Sequence, residues 1–302
     1  MPSLSPLTTL AAVGYATLTA LANAAAVTTQ HVASQRPKGT VRGIALALTV
    51  LRQPLWWLGG VALLGSLVFQ ALALHFGPLS LVQPFLISEV LMALVLRRFW
   101  RHQRIVRRAW VTGALVVVSL TTFLVLSAPS AGSPHSSATA WTWVMVTTVL
   151  VMGVVAVIGR RGSDRQRAGV WGTITAVLWA LEAALIKETT DSIAAHGLGG
   201  AFLHWPLYAF VVIGLAGLAA EQTALFVGPL AVSQPCIVIF DPLASILFGA
   251  ILYGERWRSG TWSIVSSVLA LLVLCLSAYQ LIMATPENLH PTGSAMSPPT
   301  TS

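Results

Sequence analysis

The chain is 302 residues long, 56% apolar and only 9% charged, with a mean hydropathy of +0.79. A soluble domain carries roughly a quarter charged residues, so an ordinary water-soluble globule is excluded and an all-α polytopic membrane protein is expected. The net charge of +8 does not point to nucleic acid, because 14 of the 17 basic residues are confined to three short loops between apolar runs.

Apolar runs long enough to cross about 30 Å of hydrocarbon lie at 8–27, 55–75, 78–97, 109–127, 141–159, 168–187, 204–226, 228–252 and 261–283, about nine transmembrane helices in all. The first ends in Ala22-Asn23-Ala24, which resembles a cleavage site. No Lys or Arg precedes it to form a signal-peptide n-region, so the span is expected to be retained. The basic loops are 28–53 (Arg36, Lys38, Arg42, Arg52), 97–108 (Arg97, Arg98, Arg101, Arg104, Arg107, Arg108) and 160–167 (Arg160, Arg161, Arg165, Arg167). They alternate with loops 128–140 and 188–203, which carry no Lys or Arg. The positive-inside rule then sets the basic loops in the cytoplasm of a cell (inner or plasma) membrane, with the N-terminus outside and the C-terminus inside. Loop 253–260, expected outside, dissents weakly with Arg256 and Arg258 beside Glu255. Lys187, at the end of the sixth run, is expected to snorkel to the surface. Trp56, Trp57, Trp141, Trp143, Trp205 and Trp262 stand at span ends as interfacial anchors. The tail, 284–302, is rich in Pro, Thr and Ser and is expected to be a disordered cytoplasmic segment.

Two runs open with the same unusual nonamer. From Phe76 the chain reads Phe-Gly-Pro-Leu-Ser-Leu-Val-Gln-Pro, and from Val227 it reads Val-Gly-Pro-Leu-Ala-Val-Ser-Gln-Pro. The register pairs Gly77 with Gly228, Pro78 with Pro229, Gln83 with Gln234 and Pro84 with Pro235, and reaches back to set Gln70 opposite Glu221. The copies open spans three and eight, an odd number apart, so one runs outward where the other runs inward. This predicts an inverted internal repeat with a first half of four spans (1–127) and a second of five (128–283), the organisation of an alternating-access core. Pro84, Pro235 and Pro242 cannot donate to Ser80, Ala231 and Val238, so helix breaks with free carbonyls are expected there.

Four carboxylates fall inside predicted spans: Glu89, Glu182, Glu221 and Asp241. A central charge is unfavourable by about 2.5–3.5 kcal/mol on the insertion scale, so such groups mark proton, ion or solute paths. Asp241 is at the midpoint of its span, seven residues from Gln234 and on the same helix face. Glu89 is one register position from the counterpart of Asp241. Asp241, Glu89, Gln83 and Gln234 are therefore the expected binding residues, with Glu182, Glu221 and Gln70 as additions.

Other chemistries lack their residues. No phosphate loop occurs, the seven histidines show no metal-ligand spacing, and no nucleophile stands beside a base, so neither an enzyme nor a cofactor is expected. Cys236 and Cys275 fall inside apolar runs, where a thiol behaves as a small hydrophobe.

In order along the chain, Trp56-Trp57 with Gly59, Gly77-Pro78, Val82-Gln83-Pro84, Gln222, Gly228-Pro229, Gln234-Pro235, Asp241-Pro242 and Gly254-Glu255 resemble the drug/metabolite transporter superfamily, and within it the NIPA-like magnesium transporters. The resemblance runs over roughly 8–283. It implies secondary transport of a small organic metabolite or drug-like solute or, in the NIPA-like alternative, of Mg²⁺ or another divalent cation held by Asp241 and Glu89. It also accounts for nine spans, since superfamily members usually have ten and NIPA-like proteins lack one in the first half. The chain departs from NIPA-like proteins at Gly65-Ser66, where they carry Gly-Glu. A non-transporting scaffold is the remaining alternative. The expected partners are the lipid bilayer and the solute or ion, with a homodimer the protein association considered.

Overall fold

The computed structural model describes residues 6–35, 53–101, 107–129, 132–133, 136–159, 161–227, 230–256, 258 and 260–284. Gly228-Pro229 and the expectation of a disordered tail from residue 285 onward lie outside the described residues.

Among these residues every regular element is helical. In chain order they are α1 (Pro6–Gln35), α2 (Pro54–Phe76), α3 (Leu79–Leu86), α4 (Ser88–Arg101), α5 (Arg107–Ser127), α6 (Ala138–Gly159), α7 (Asp164–Ala201), α8 (Trp205–Val227), α9 (Leu230–Tyr253) and α10 (Thr261–Ala284). Eight of them are long and apolar enough to cross a bilayer, and the chain is a multi-pass helical membrane protein. Its surface agrees: Val61, Leu64, Val118, Val149, Val212 and Leu272 are more than half exposed, as a lipid-facing belt requires.

Small residues decide which helices meet, because in lipid close backbone approach replaces the hydrophobic drive. On α1, Ala12, Ala16, Ala20 and Ala24 recur every fourth residue and are buried, and α1 packs along α2. A Cβ at Gly77 would come within 2.7 Å of the Ala12 Cβ. α7 packs on α8, where Gly217 lies under the Trp179 ring, and on α9, where a Cβ at Gly172 would stand 2.6 Å from the Ser233 carbonyl. α5 pairs with α10 in a separate core of Val116, Leu120, Phe123, Leu271, Leu274 and Ala278. Hydroxyls within the spans, such as Thr17, Thr175 and Ser277, donate to the carbonyl four residues back and so need no outside partner.

The break expected at Pro84 is present, and two other expectations are corrected. The third predicted span arrives as two helices, α3 and α4, joined at Ile87, where Ile87 N donates to Pro84 O and Val90 N to Ile87 O in place of the usual ladder. By contrast α9 runs unbroken through Pro235 and Pro242, so the breaks expected there are absent. A helical proline removes one bond and needs a φ near −65°, so α9 can continue through both, and it packs along α7. Finally, α7 is 38 residues long, about 57 Å at 1.5 Å per residue, and makes helix of the expected outer loop 188–203 as far as Ala201, with a kink at Gly197 (φ 73°). Buried Lys187, Thr189 and Asp191 sit against protein along this extension.

Candidate functional site

The carboxylates that the sequence scatters over four spans converge. Asp241, midway along α9, lies within electrostatic reach of Glu89 on α4 and Glu182 on α7, and Glu89 within reach of Glu221 on α8. Each is half-buried. Asp241 accepts from Ser245 Oγ one turn on (3.3 Å), and Glu89 Oε2 accepts from Asn23 Nδ2 of α1 (3.0 Å). Glu182 presses against α8 at Gly214, where a Cβ would stand 2.7 Å from its Oε1, so the glycine makes room for the carboxylate. Because α9 is continuous, Gln234 and Asp241 do share one face, with buried Ser245, Phe248 and Leu252 following at helical spacing. Gln83, buried in α3, leaves its Nε2 without a partner. Gln70 is half-buried on α2.

The break after Pro84 sets this geometry. It ends α3 and starts α4 one residue before Glu89, so the Glu89 carboxyl lies in the first turn of a helix, where the free amides favour negative charge. Asn23 is the residue that sequence reading misses. In the sequence it belongs only to an apparent cleavage motif, yet a lone amide in an apolar run is itself a signal that something polar faces it.

A second polar cluster closes one end of the bundle at the α2–α3 junction. Pro78 has no N–H, so the Leu74 carbonyl four residues earlier loses its helical donor. Lys187 Nζ supplies one at 2.9 Å and also lies over the Tyr253 ring, 5.3 Å from its centroid. On the other side of the junction the first amides of α3 are free. Glu255 accepts from Leu79 N (2.7 Å), Ser80 N (2.9 Å) and Ser80 Oγ (2.6 Å). Burial pushes the Glu255 carboxyl above its ordinary value, while Ser80, the two amides and Lys187 pull it back down. Gly249 makes room for this carboxylate, since a Cβ there would collide with it, and its carbonyl accepts from Glu255 N (3.1 Å). Around this centre the Tyr253 hydroxyl donates to Ala184 O (2.8 Å), Trp141 Nε1 donates to Glu188 (3.3 Å), and His75 Nδ1 meets Asp191 Oδ1 at 3.0 Å.

Lys187 therefore does not snorkel; it is 5% exposed. Trp141 is likewise no interfacial anchor but a buried donor, whereas Trp57, Trp143 and Trp262 are exposed as anchors should be. Glu255 reads in the sequence as one charge in a short mixed loop. Only the Gly-Glu pair in the family resemblance marks it.

At the opposite end a cavity of about 500 Å³ opens between α6, α7 and α9. Arg161, Gln166, Thr173 and Cys236 line it together with Val155 and Val170. Cys236 is five residues before Asp241, about 7.5 Å along the helix axis. Among the described residues no group of three His, Cys, Asp or Glu side chains is placed to hold a metal ion.

The chain is 29% identical over 274 residues to an uncharacterized protein of Corynebacterium glutamicum, an alignment that covers 90% of this chain and 94% of that one. The similarity thus spans most of the chain rather than one motif. No family model and no solved structure matches the chain.

Proposed function

We propose that the protein is a secondary transporter of the drug/metabolite type, moving a small organic solute by alternating access through the site around Asp241 and Glu89. The observation that carries this reading is the convergence of Asp241, Glu89, Glu182 and Glu221 from four different helices inside a membrane array. A structural role would need one hydrogen-bonded acid rather than four neighbouring ones, and intramembrane acids are rare enough that function is their default meaning. Here Asp241 binds the solute or a coupling proton, and Glu89, Gln83 and Gln234 line the path.

Packing favours an inverted repeat as the frame. α1 lies on α2 as α7 lies on α8, α1 touches α3 and α4 as α7 touches α9, and α5 pairs with its own counterpart α10. A two-fold axis in the membrane plane relates such pairs. In this reading α3 and α4 together make a ninth crossing, the basic loops face the cytoplasm and the Lys187 cluster faces outward. The NIPA-like alternative would use Asp241 and Glu89 for Mg²⁺. Two carboxylates with retained waters suffice in principle, but Ser66 stands where NIPA-like proteins carry an acid, which favours the organic solute.

The test is electrogenic and radiolabel flux in proteoliposomes across a panel of cationic, anionic and neutral metabolites, with Mg²⁺ under an inside-negative potential as a separate arm. An organic class moved by the wild type and lost in folded Asp241→Asn is the expected result. Mg²⁺ flux lost in the same variant would replace the organic reading. No flux of any kind, with Asp241→Asn and Glu89→Gln altering stability alone, would leave the scaffold.

A further inference from the structure

We propose that Glu255 and Lys187 form a charge latch that holds the outward end of the solute path shut. The inference rests on the transporter reading above, and its geometry is that of the α2–α3 junction. The junction exposes two opposite sets of backbone groups: an orphaned carbonyl at the end of α2 and unpaired amides at the start of α3. A cation from α7 takes the first and an anion from the loop after α9 takes the second. One dipolar break thus ties three separate parts of the chain together, and the two charges that do it also attract each other.

The latch grips the element that carries the site. Glu255 holds Leu79 and Ser80, and the same eight-residue helix bears Gln83 and ends just before Glu89. Displacing Glu255 frees α3 to move, with α4 and Glu89 behind it. Glu255 is in this sense a positioning residue for the Asp241–Glu89 site. At the other end of the described structure a cavity reaches Cys236. Alternating access requires that an end be sealed by interactions that can be broken. All of the latch bonds are polar and charge-assisted, so each can be exchanged for water once a vestibule opens.

The two native cysteines make the test direct, because Cys236 lines the open cavity and Cys275 is buried. In a Cys275→Ala background, labelling of Cys236 by a membrane-impermeant maleimide reports the basic-loop end. In a Cys236→Ala, Cys275→Ala background, Gln83→Cys reports the latch end. Both are read on the full chain in vesicles of known orientation, for the parent and for Glu255→Ala, Glu255→Gln and Lys187→Met. Removal of the latch is expected to raise labelling at position 83 from the latch side about tenfold and to slow labelling of Cys236 from the other, the size expected when a minor state becomes a major one. Glu255→Gln, which keeps an acceptor without the charge, is expected to fall between the parent and Glu255→Ala. A lower melting temperature with both labelling rates unchanged would overturn the latch in favour of a purely structural cap. So would both rates rising together, which signals loosening. Labelling needs no solute, so reciprocal accessibility without flux would reject the transporter reading while keeping the latch.

Discussion

The two copies of the nonamer are similar in sequence and lead into two different structures. In the first, Gly77-Pro78 separates α2 from α3, the residues from Leu79 to Pro84 are all buried, and the helix stops at Ile87. In the second, α9 runs 24 residues through two prolines, with Phe240, Leu247 and Ile251 facing lipid. The residues are alike, so the difference belongs to the surroundings. The first copy is gripped by charge from α7 and from the loop after α9; the second leans on α7 through small residues and carries its own acid, Asp241. One copy thus leads into a short helix held by charge at its start, and the other into a long continuous one.

The largest expected effect comes from releasing the grip on the first copy. Glu255→Ala leaves two buried amides and one buried hydroxyl without their acceptor, and unsatisfied buried donors are destabilising by about 1–3 kcal/mol each. Thermal unfolding in detergent, followed by tryptophan fluorescence, measures it. A loss under about 1 kcal/mol, the scale of an exposed ion pair, would mean that water already reaches this end and that the copies are not held differently.

The support of the second copy is tested next. Gly172→Ala drives a Cβ to 2.6 Å from the Ser233 backbone carbonyl, which cannot swing away, whereas Gly169→Ala meets only Val232 at 3.6 Å and Cys236 at 3.8 Å. Overpacking of the first kind destabilises by about 1–3 kcal/mol, and the second change is expected to be neutral or slightly stabilising through helix propensity. Equal effects at the two positions would show that the α7–α9 crossing is loose enough to absorb a methyl group anywhere along it.

Smaller still is the difference between the hydrogen bonds that dress the two central acids. Asn23→Ala removes a 3.0 Å bond between α1 and α4, and Ser245→Ala removes a longer 3.3 Å bond within α9. Each is worth about 1 kcal/mol or less. The expected separation is functional: Asn23→Ala shifts the pH dependence of flux, because Glu89 loses the amide that donates to it, and Ser245→Ala shifts it less. Identical profiles would argue that Glu89 and Asp241 titrate as one unit.

How much of this can be read from residues alone depends on the physics of each feature. Eight spans are legible because lipid imposes a length and a composition. The extent of α7 is not, because a hydropathy window stops at Lys187 and cannot know that Thr189 and Asp191 beyond it are buried against protein. Lys187 and Trp141 are misplaced for the same reason, since span-end rules assume a lipid boundary. The acids are legible as individuals from the cost of burying charge, but their convergence is a tertiary fact. Glu255 carries no local signal, since its partners lie 175 and 176 residues away.

The finest test concerns the prolines. Pro84 and Pro235 occupy the same register, each lacks the N–H its helix would use, and only the first is followed by a break. Proline is therefore insufficient as the cause. The break falls three residues after Pro84, between an anchor at Ser80–Glu255 and one at Glu89–Asn23, and two fixed ends that do not lie on one helical path force the chain to yield between them. On this account Pro84→Ala restores a donor for Ser80 O without healing the helix, and its effect on stability stays within about 1 kcal/mol of that of Pro235→Ala. Hydrogen exchange resolves the matter at the amides from Ile87 to Val90. Continued rapid exchange in Pro84→Ala is expected from tertiary anchoring, whereas strong protection there would return the break to proline and make the second copy the one in need of explanation.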